Sequence, residues 1–129
     1  MAHQQSDLVK VKRIPGKGRG VFARRDIKKD TEIERVPMLV IPERDIYREE
    51  GDGMLSEYVF AWGKKTVALA LGYGSLYNHS YKPNARYEDD GQQTKVYIAI
   101  KNIKKGEEIT INYNGDPKNR SPLWFKVKE

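Results

Sequence analysis

The chain has 129 residues, enough for one hydrophobic core and too few for two domains. Hydrophobic residues at 38% and charged ones at 33% describe a globular composition, and no apolar run approaches the roughly 20 residues that span a bilayer. Cysteine is absent, which excludes disulfides, thiolate nucleophiles and cysteine-held zinc, while a net charge of +6 fits an acidic partner and ordinary solvated faces equally well.

The opening MAHQQSD has no basic stretch followed by an apolar one, so no signal peptide is visible and an intracellular protein is expected. Residues 1–7 read as a flexible end, 8–125 as the domain and 126–129 as a tail. Val9 and Val11 alternate with Lys10 and Lys12, the period-two sign of a half-buried strand, and IPGKGRG turns the chain into GVFARR as a hairpin. Glu32 to Ile41 reads as a third strand, with Pro37 suggesting an edge or a bulge and Pro42 ending it.

Glu43 to Glu57 carries six acidic residues against Arg44 and Arg48, a locally acidic stretch in a basic protein. Leu55, Tyr58, Val59 and Trp62 have helical spacing, yet SEYVFAW is rich in strand formers, so both readings stay open. Thr66 to Leu71 reads as a buried strand. Lys95 to Lys101 alternates with Val96, Ile98 and Ile100 on one face, and KKGEE turns into EITINY. Short strands, glycine turns and little helix predict a mainly β domain. The terminal Leu123, Trp124 and Phe125 are expected to bury something.

Several familiar sites are excluded. GYGSLY lacks the third glycine of a dinucleotide fingerprint, no GxxxxGK[ST] loop exists, and neither Ser75 nor Ser80 sits in a GxSxG elbow. Two distant histidines make a poor metal site, so no metal is expected. Three segments remain unusual for a plain β domain: GKGRGVFA at Gly16 to Ala23, GYGSLYNHSYKPN at Gly72 to Asn84, and GEEITINY at Gly106 to Tyr113.

In this order the three segments resemble the SET-domain family of S-adenosylmethionine-dependent protein lysine methyltransferases. NHSYKPN matches the family's NHSxxPN and GEEITINY its GExxxxxY, over about Leu8 to Phe125. The likeness is greatest to small stand-alone members of viruses and bacteria. It implies a β-clip-like fold of short sheets with a knot-like C-terminal crossing, and S-adenosylmethionine as cofactor. Cofactor contacts would come from Lys17, Gly18, Arg19, Gly20, Asn78 and His79, with Trp124 as a lid and His79 as a clamp rather than a base. Tyr113 matches the catalytic tyrosine.

Eight tyrosines and two tryptophans could line a channel for the substrate's lysine, with Tyr58, Tyr73 and Tyr77 as candidates. Ile111, where many members place Phe or Tyr, would tolerate more than one methyl group. The acidic Glu43 to Glu57 stretch would attract a basic protein such as a histone tail. Zinc-binding cysteines found in many members after the tyrosine are missing, so Leu123 to Phe125 or a second subunit of a homodimer would close the site. The alternatives are a SET-like module that binds peptide without catalysis, and a basic β domain for nucleic acid; the methyltransferase requires neither nucleic acid nor membrane.

Overall fold

In the computed structural model, which describes residues 5–16 and 18–127, two β-sheets and their connecting loops enclose a single core. Strands β1 (Val9–Ile14) and β2 (Gly18–Ala23) form the expected hairpin, in register from Val9 opposite Ala23 to Ile14 opposite Gly18. Gly18 leaves the turn at φ +83°, a conformation open to glycine at little cost. Lys17 lies outside the described residues.

Among the described residues nine strands follow the chain: β3 (Glu32–Pro42), β4 (Val59–Trp62), β5 (Thr66–Ala70), β6 (Asn78–His79), β7 (Ala85–Asp89), β8 (Thr94–Ala99) and β9 (Glu108–Ile111) come after the hairpin. One sheet has the order β1-β2-β9-β6, with β6 parallel to β9; the other has the order β4-β5-β3-β8-β7. In β2 and β9, Val21, Ala23, Ile109 and Ile111 alternate inward, so the first sheet gives one face to the core.

Pro37 is not at an edge. β3 is the central strand of its sheet, and Pro37 falls where β3 changes partner, pairing with β8 up to Pro37 and with β5 from Met38 onward. The ring removes one N–H donor at a point where the ladder is handed over, and the irregular register lies instead between Glu32 and Glu34. The open reading of SEYVFAW resolves into a 3-10 turn, Met54–Glu57, followed by β4. β8 is covered on both faces rather than one, with Lys95, Val96 and Tyr97 all buried.

Burying Lys95 requires partners. Its ammonium donates to Asp89 Oδ1 at 2.7 Å and lies 4.5 Å from the ring centroids of both Phe60 and Tyr87. Phe60 and Tyr87 belong to the two edge strands, β4 and β7, yet their centroids are 5.2 Å apart. The sheet is therefore curled until its edges meet over its concave side. Burial pulls the Lys95 pKa down, against the opposing pull of Asp89.

Candidate active site

The segment GYGSLYNHSYKPN first makes a tight loop and then a clamp. Gly74 has no room for a side chain: a Cβ there would stand 2.6 Å from Ala70 Cβ and 2.8 Å from the Tyr97 hydroxyl. That hydroxyl donates to Gly74 O at 2.8 Å, and Ser75 Oγ donates to Tyr58 O at 3.0 Å. Buried Glu34 fixes both ends of the loop, accepting from Tyr77 Oη at 2.8 Å and from the Tyr73 amide at 3.1 Å. Burial pushes the Glu34 carboxyl pKa up, and these two hydrogen bonds oppose it.

The polar residues that follow tie down β9. Asn78 Nδ2 donates to Arg19 O at 2.9 Å and to Glu108 Oε2 at 2.7 Å, joining β2 and β9. Asn84 accepts from the Thr110 amide at 2.9 Å and donates to Glu108 O at 2.8 Å. His79 is buried, and its Nδ1 accepts from the Tyr113 amide at 3.0 Å, which requires that nitrogen to be unprotonated. The ring thus positions the residue at the end of β9. It lines neither of the cavities described below.

Held this way, the Tyr113 hydroxyl donates to Tyr77 O at 2.5 Å and the Tyr87 hydroxyl to Tyr113 O at 3.4 Å. The Tyr113 ring stacks on Trp124, centroids 6.0 Å apart and planes 15° from parallel. Trp124 is 61% and Phe125 40% exposed, so the terminal aromatic cluster caps Tyr113 instead of entering the core. Tyr113 stands between two cavities. One, about 760 Å³, is lined by Arg13, Gly18, Arg19, Asn78, Trp124 and Phe125 among others. The second, about 370 Å³, is lined by Phe60, Tyr77, Tyr87, Glu88, Asp89 and Lys95 among others. Both share Glu57, Tyr58, Ser75, Tyr113 and Trp124.

The expected residues thus converge, with exceptions. Gly20 is buried beneath the first cavity, where a Cβ would meet Glu108 Oε2 at 2.5 Å and Asn78 Nδ2 at 2.8 Å. Gly20→Ala is accordingly expected to disrupt the Asn78 clamp and destabilise the protein by about 1–3 kcal/mol, read from urea unfolding. Tyr73 lines neither cavity; it lies on the flank, its hydroxyl accepting from Gln5 Nε2 at 2.5 Å. Ile111 also lines neither cavity, because strand alternation turns it into the core. Tyr77 reaches the second cavity while its hydroxyl is engaged by Glu34.

Phe60 and Tyr87, which the sequence reading did not single out, line the second cavity where Tyr73 and Ile111 do not. Period-two alternation in Ala85–Asp89 could have flagged Tyr87, whereas Phe60 was hidden in a stretch readable as helix.

Burial first, with nearby tyrosines and Glu108 adding to it, pushes the Tyr113 phenol up to about 12. The folded state therefore holds this proton more tightly than the unfolded chain, whose phenol titrates near 10. The associated stability is complete below about pH 10 and is lost as pH rises toward about 12. Tyr113→Phe is expected to reduce the fall in Tm across that window; an unchanged fall would assign it to other groups.

Residues 18–114 match the SET-domain family. A histone-lysine N-methyltransferase of Schizosaccharomyces pombe, described as H3 lysine-37 specific, is 38% identical over 112 residues, covering 85% of this chain and 71% of the relative. A histone-lysine N-methyltransferase SET9 of Phaeosphaeria nodorum is 34% identical over 101 residues, covering 74% of this chain and 15% of that longer protein. Among solved structures, one titled as a candidate histone methyltransferase of Plasmodium falciparum superposes with a TM-score of 0.69 at 32% identity, covering 95% of this chain and 99% of that one.

The chain belongs to the SET-domain family. Within it, the chain is a protein-lysine N-methyltransferase. No helix among the described residues is long and apolar enough to cross a membrane.

Proposed function

We propose that this protein transfers a methyl group from S-adenosylmethionine to a lysine ε-amine of a basic protein, with histone H3 as its first candidate. The observation that carries this reading is the meeting of two chemically different cavities at Tyr113. The larger cavity suits the cofactor. Arg13 and Arg19 offer guanidinium groups to a carboxylate, Trp124 and Phe125 offer faces to adenine, and Gly18 leaves open space beside the backbone. S-adenosylmethionine supplies an electrophilic methyl on a sulfonium when bound there.

The smaller cavity suits a lysine side chain. Tyr58 and Tyr113 give it aromatic walls beside the Phe60 and Tyr87 rings, which already face the Lys95 ammonium, and Glu57 and Glu88 add negative charge that attracts basic peptide. At an ordinary lysine pKa only on the order of one amine in a few thousand is neutral at pH 7. Desolvation of the amine on entry disfavours the ammonium and so raises that fraction, against the opposing pull of the ring faces and of Glu57 and Glu88. The Tyr113 hydroxyl and the Tyr77 carbonyl form a polar point between the cavities, where an entering amine is oriented by hydrogen bonding.

The test is methyl transfer from labelled S-adenosylmethionine to recombinant H3 and to H3 with lysine 37 replaced by arginine. Label on H3 that disappears with that replacement supports both enzyme and target. Label that persists moves the target to another lysine; no label on any core histone overturns the histone reading. Product masses then count the methyl groups.

A further inference from the structure

Cations gather near the far end of β9, whereas the cavities carry both signs of charge. At that far end, the loops around residues 24–29 and 101–106 are bound together. Ile27 and Ile103 exchange backbone hydrogen bonds of 2.7 and 2.8 Å, the Lys29 amide donates to Asn102 Oδ1 at 2.8 Å, and the Gly106 amide to Ala23 O at 2.9 Å. Ile27 and Ile103 are buried beneath the bridge. Their neighbours face outward: Arg24, Arg25, Lys28 and Lys29 on the first loop, Lys101, Lys104 and Lys105 on the second, are all exposed.

Few acids offset them. Asp26 accepts from the Lys105 amide at 2.9 Å and Glu107 from the Lys104 amide at 3.3 Å, so both carboxylates are turned to backbone, leaving Asp30 as the third in these loops. Arg25 approaches Asp7 at 3.8 Å; among the described residues, Lys28, Lys29, Lys101, Lys104 and Lys105 form no salt bridge. The carboxylates of Glu57, Glu88 and Asp89 lie instead around the cavities at the other end. Glu107 and Tyr113 are separated by about 20 Å at ~3.3 Å per strand residue.

We infer that this face of paired loops binds the phosphate backbone of double-stranded DNA, leaving the cavities at the opposite end of β9 open to a protein tail. Its cations are held on a hydrogen-bonded frame, so little backbone ordering accompanies binding. No large hydrophobic side chain is exposed in either loop, which removes the stacking platforms that single strands use and the anchors that an acidic protein would need. What remains is sequence-independent attraction to closely spaced phosphates. The choice of DNA over an RNA duplex rests on the histone reading, because histones are met wrapped in DNA.

The experiment is fluorescence anisotropy with a labelled random-sequence DNA duplex, an RNA duplex and single-stranded DNA across a salt series. DNA duplex is expected to bind best, with affinity falling steeply in salt at a log–log slope of about −0.9 per phosphate engaged, so about −4 for four contacts. The combined variant Lys28→Glu, Lys29→Glu, Lys104→Glu and Lys105→Glu is expected to bind at least about tenfold more weakly with a shallower slope. Reversing Lys64 and Lys65, in the β4–β5 turn, should leave binding unchanged; thermal unfolding of each variant confirms that it is folded. Equal binding by the loop variant, salt-independent binding, no duplex binding, or preference for RNA or single strands would each overturn the inference. Binding is read without catalysis, so absence of methyl transfer to H3 would remove the histone reading and leave this measurement intact.

Discussion

Tyr113→Phe is expected to lower kcat by about 10²–10³-fold, the usual loss when one preorganised donor is removed from a reacting centre. Cofactor affinity should stay within about threefold, because an interaction used in the transition state leaves ground-state binding largely untouched. The structure supports separating the two effects. His79 holds residue 113 through its amide, and Trp124 stacks on the ring, so both contacts survive loss of the hydroxyl. Only the bond to Tyr77 O disappears, and Tyr77 borders the second cavity. Stability should therefore change by no more than about 1 kcal/mol. Single-turnover transfer combined with calorimetric titration of the cofactor measures both. A variant with full activity would reduce Tyr113 to a ring that ends β9; one that loses cofactor binding would make it part of that binding site.

Much of this site is legible in the sequence because it depends on short-range chemistry. The hairpin followed from alternation and a glycine turn, and the positions of Gly18, Arg19, Asn78 and Tyr113 followed from motifs whose residues lie within a few positions of one another. Contacts made across the sheet were not legible. Glu34 reaches Tyr77 across 43 positions of sequence, and Lys95 meets Phe60 only because the sheet curls. Curling depends on twist summed over several strands, which no local pattern contains. Pro37 misled for the same reason: its missing donor was evident, but the change of partner that makes it harmless depends on β5 and β8 arriving from different directions. Tyr73 and Tyr77 looked equivalent as aromatic candidates, and a carboxylate distant in sequence distinguishes them by taking an amide from one and a hydroxyl from the other.

That carboxylate carries the second large expectation. Glu34→Ala should destabilise the protein by about 2–5 kcal/mol, since it leaves the Tyr77 hydroxyl and the Tyr73 amide without their buried acceptor and opens a void. It should also lower kcat, because Tyr77 supplies the carbonyl that holds the Tyr113 hydroxyl. Glu34→Gln separates charge from shape: its carbonyl oxygen still accepts one bond, so the loss should be smaller. The Glu34 pKa is raised in the fold, chiefly by burial, so the native state keeps its proton longer than the unfolded chain does. Its contribution is greatest below the ordinary carboxylate range and declines as pH rises through the higher folded value. Wild type should therefore lose stability relative to Glu34→Gln between acid and neutral pH. Urea unfolding of both proteins across that range measures the difference. A constant gap would mean that Glu34 keeps the same charge in both states, and its hydrogen bonds alone would then account for the stability of the loop behind Tyr113.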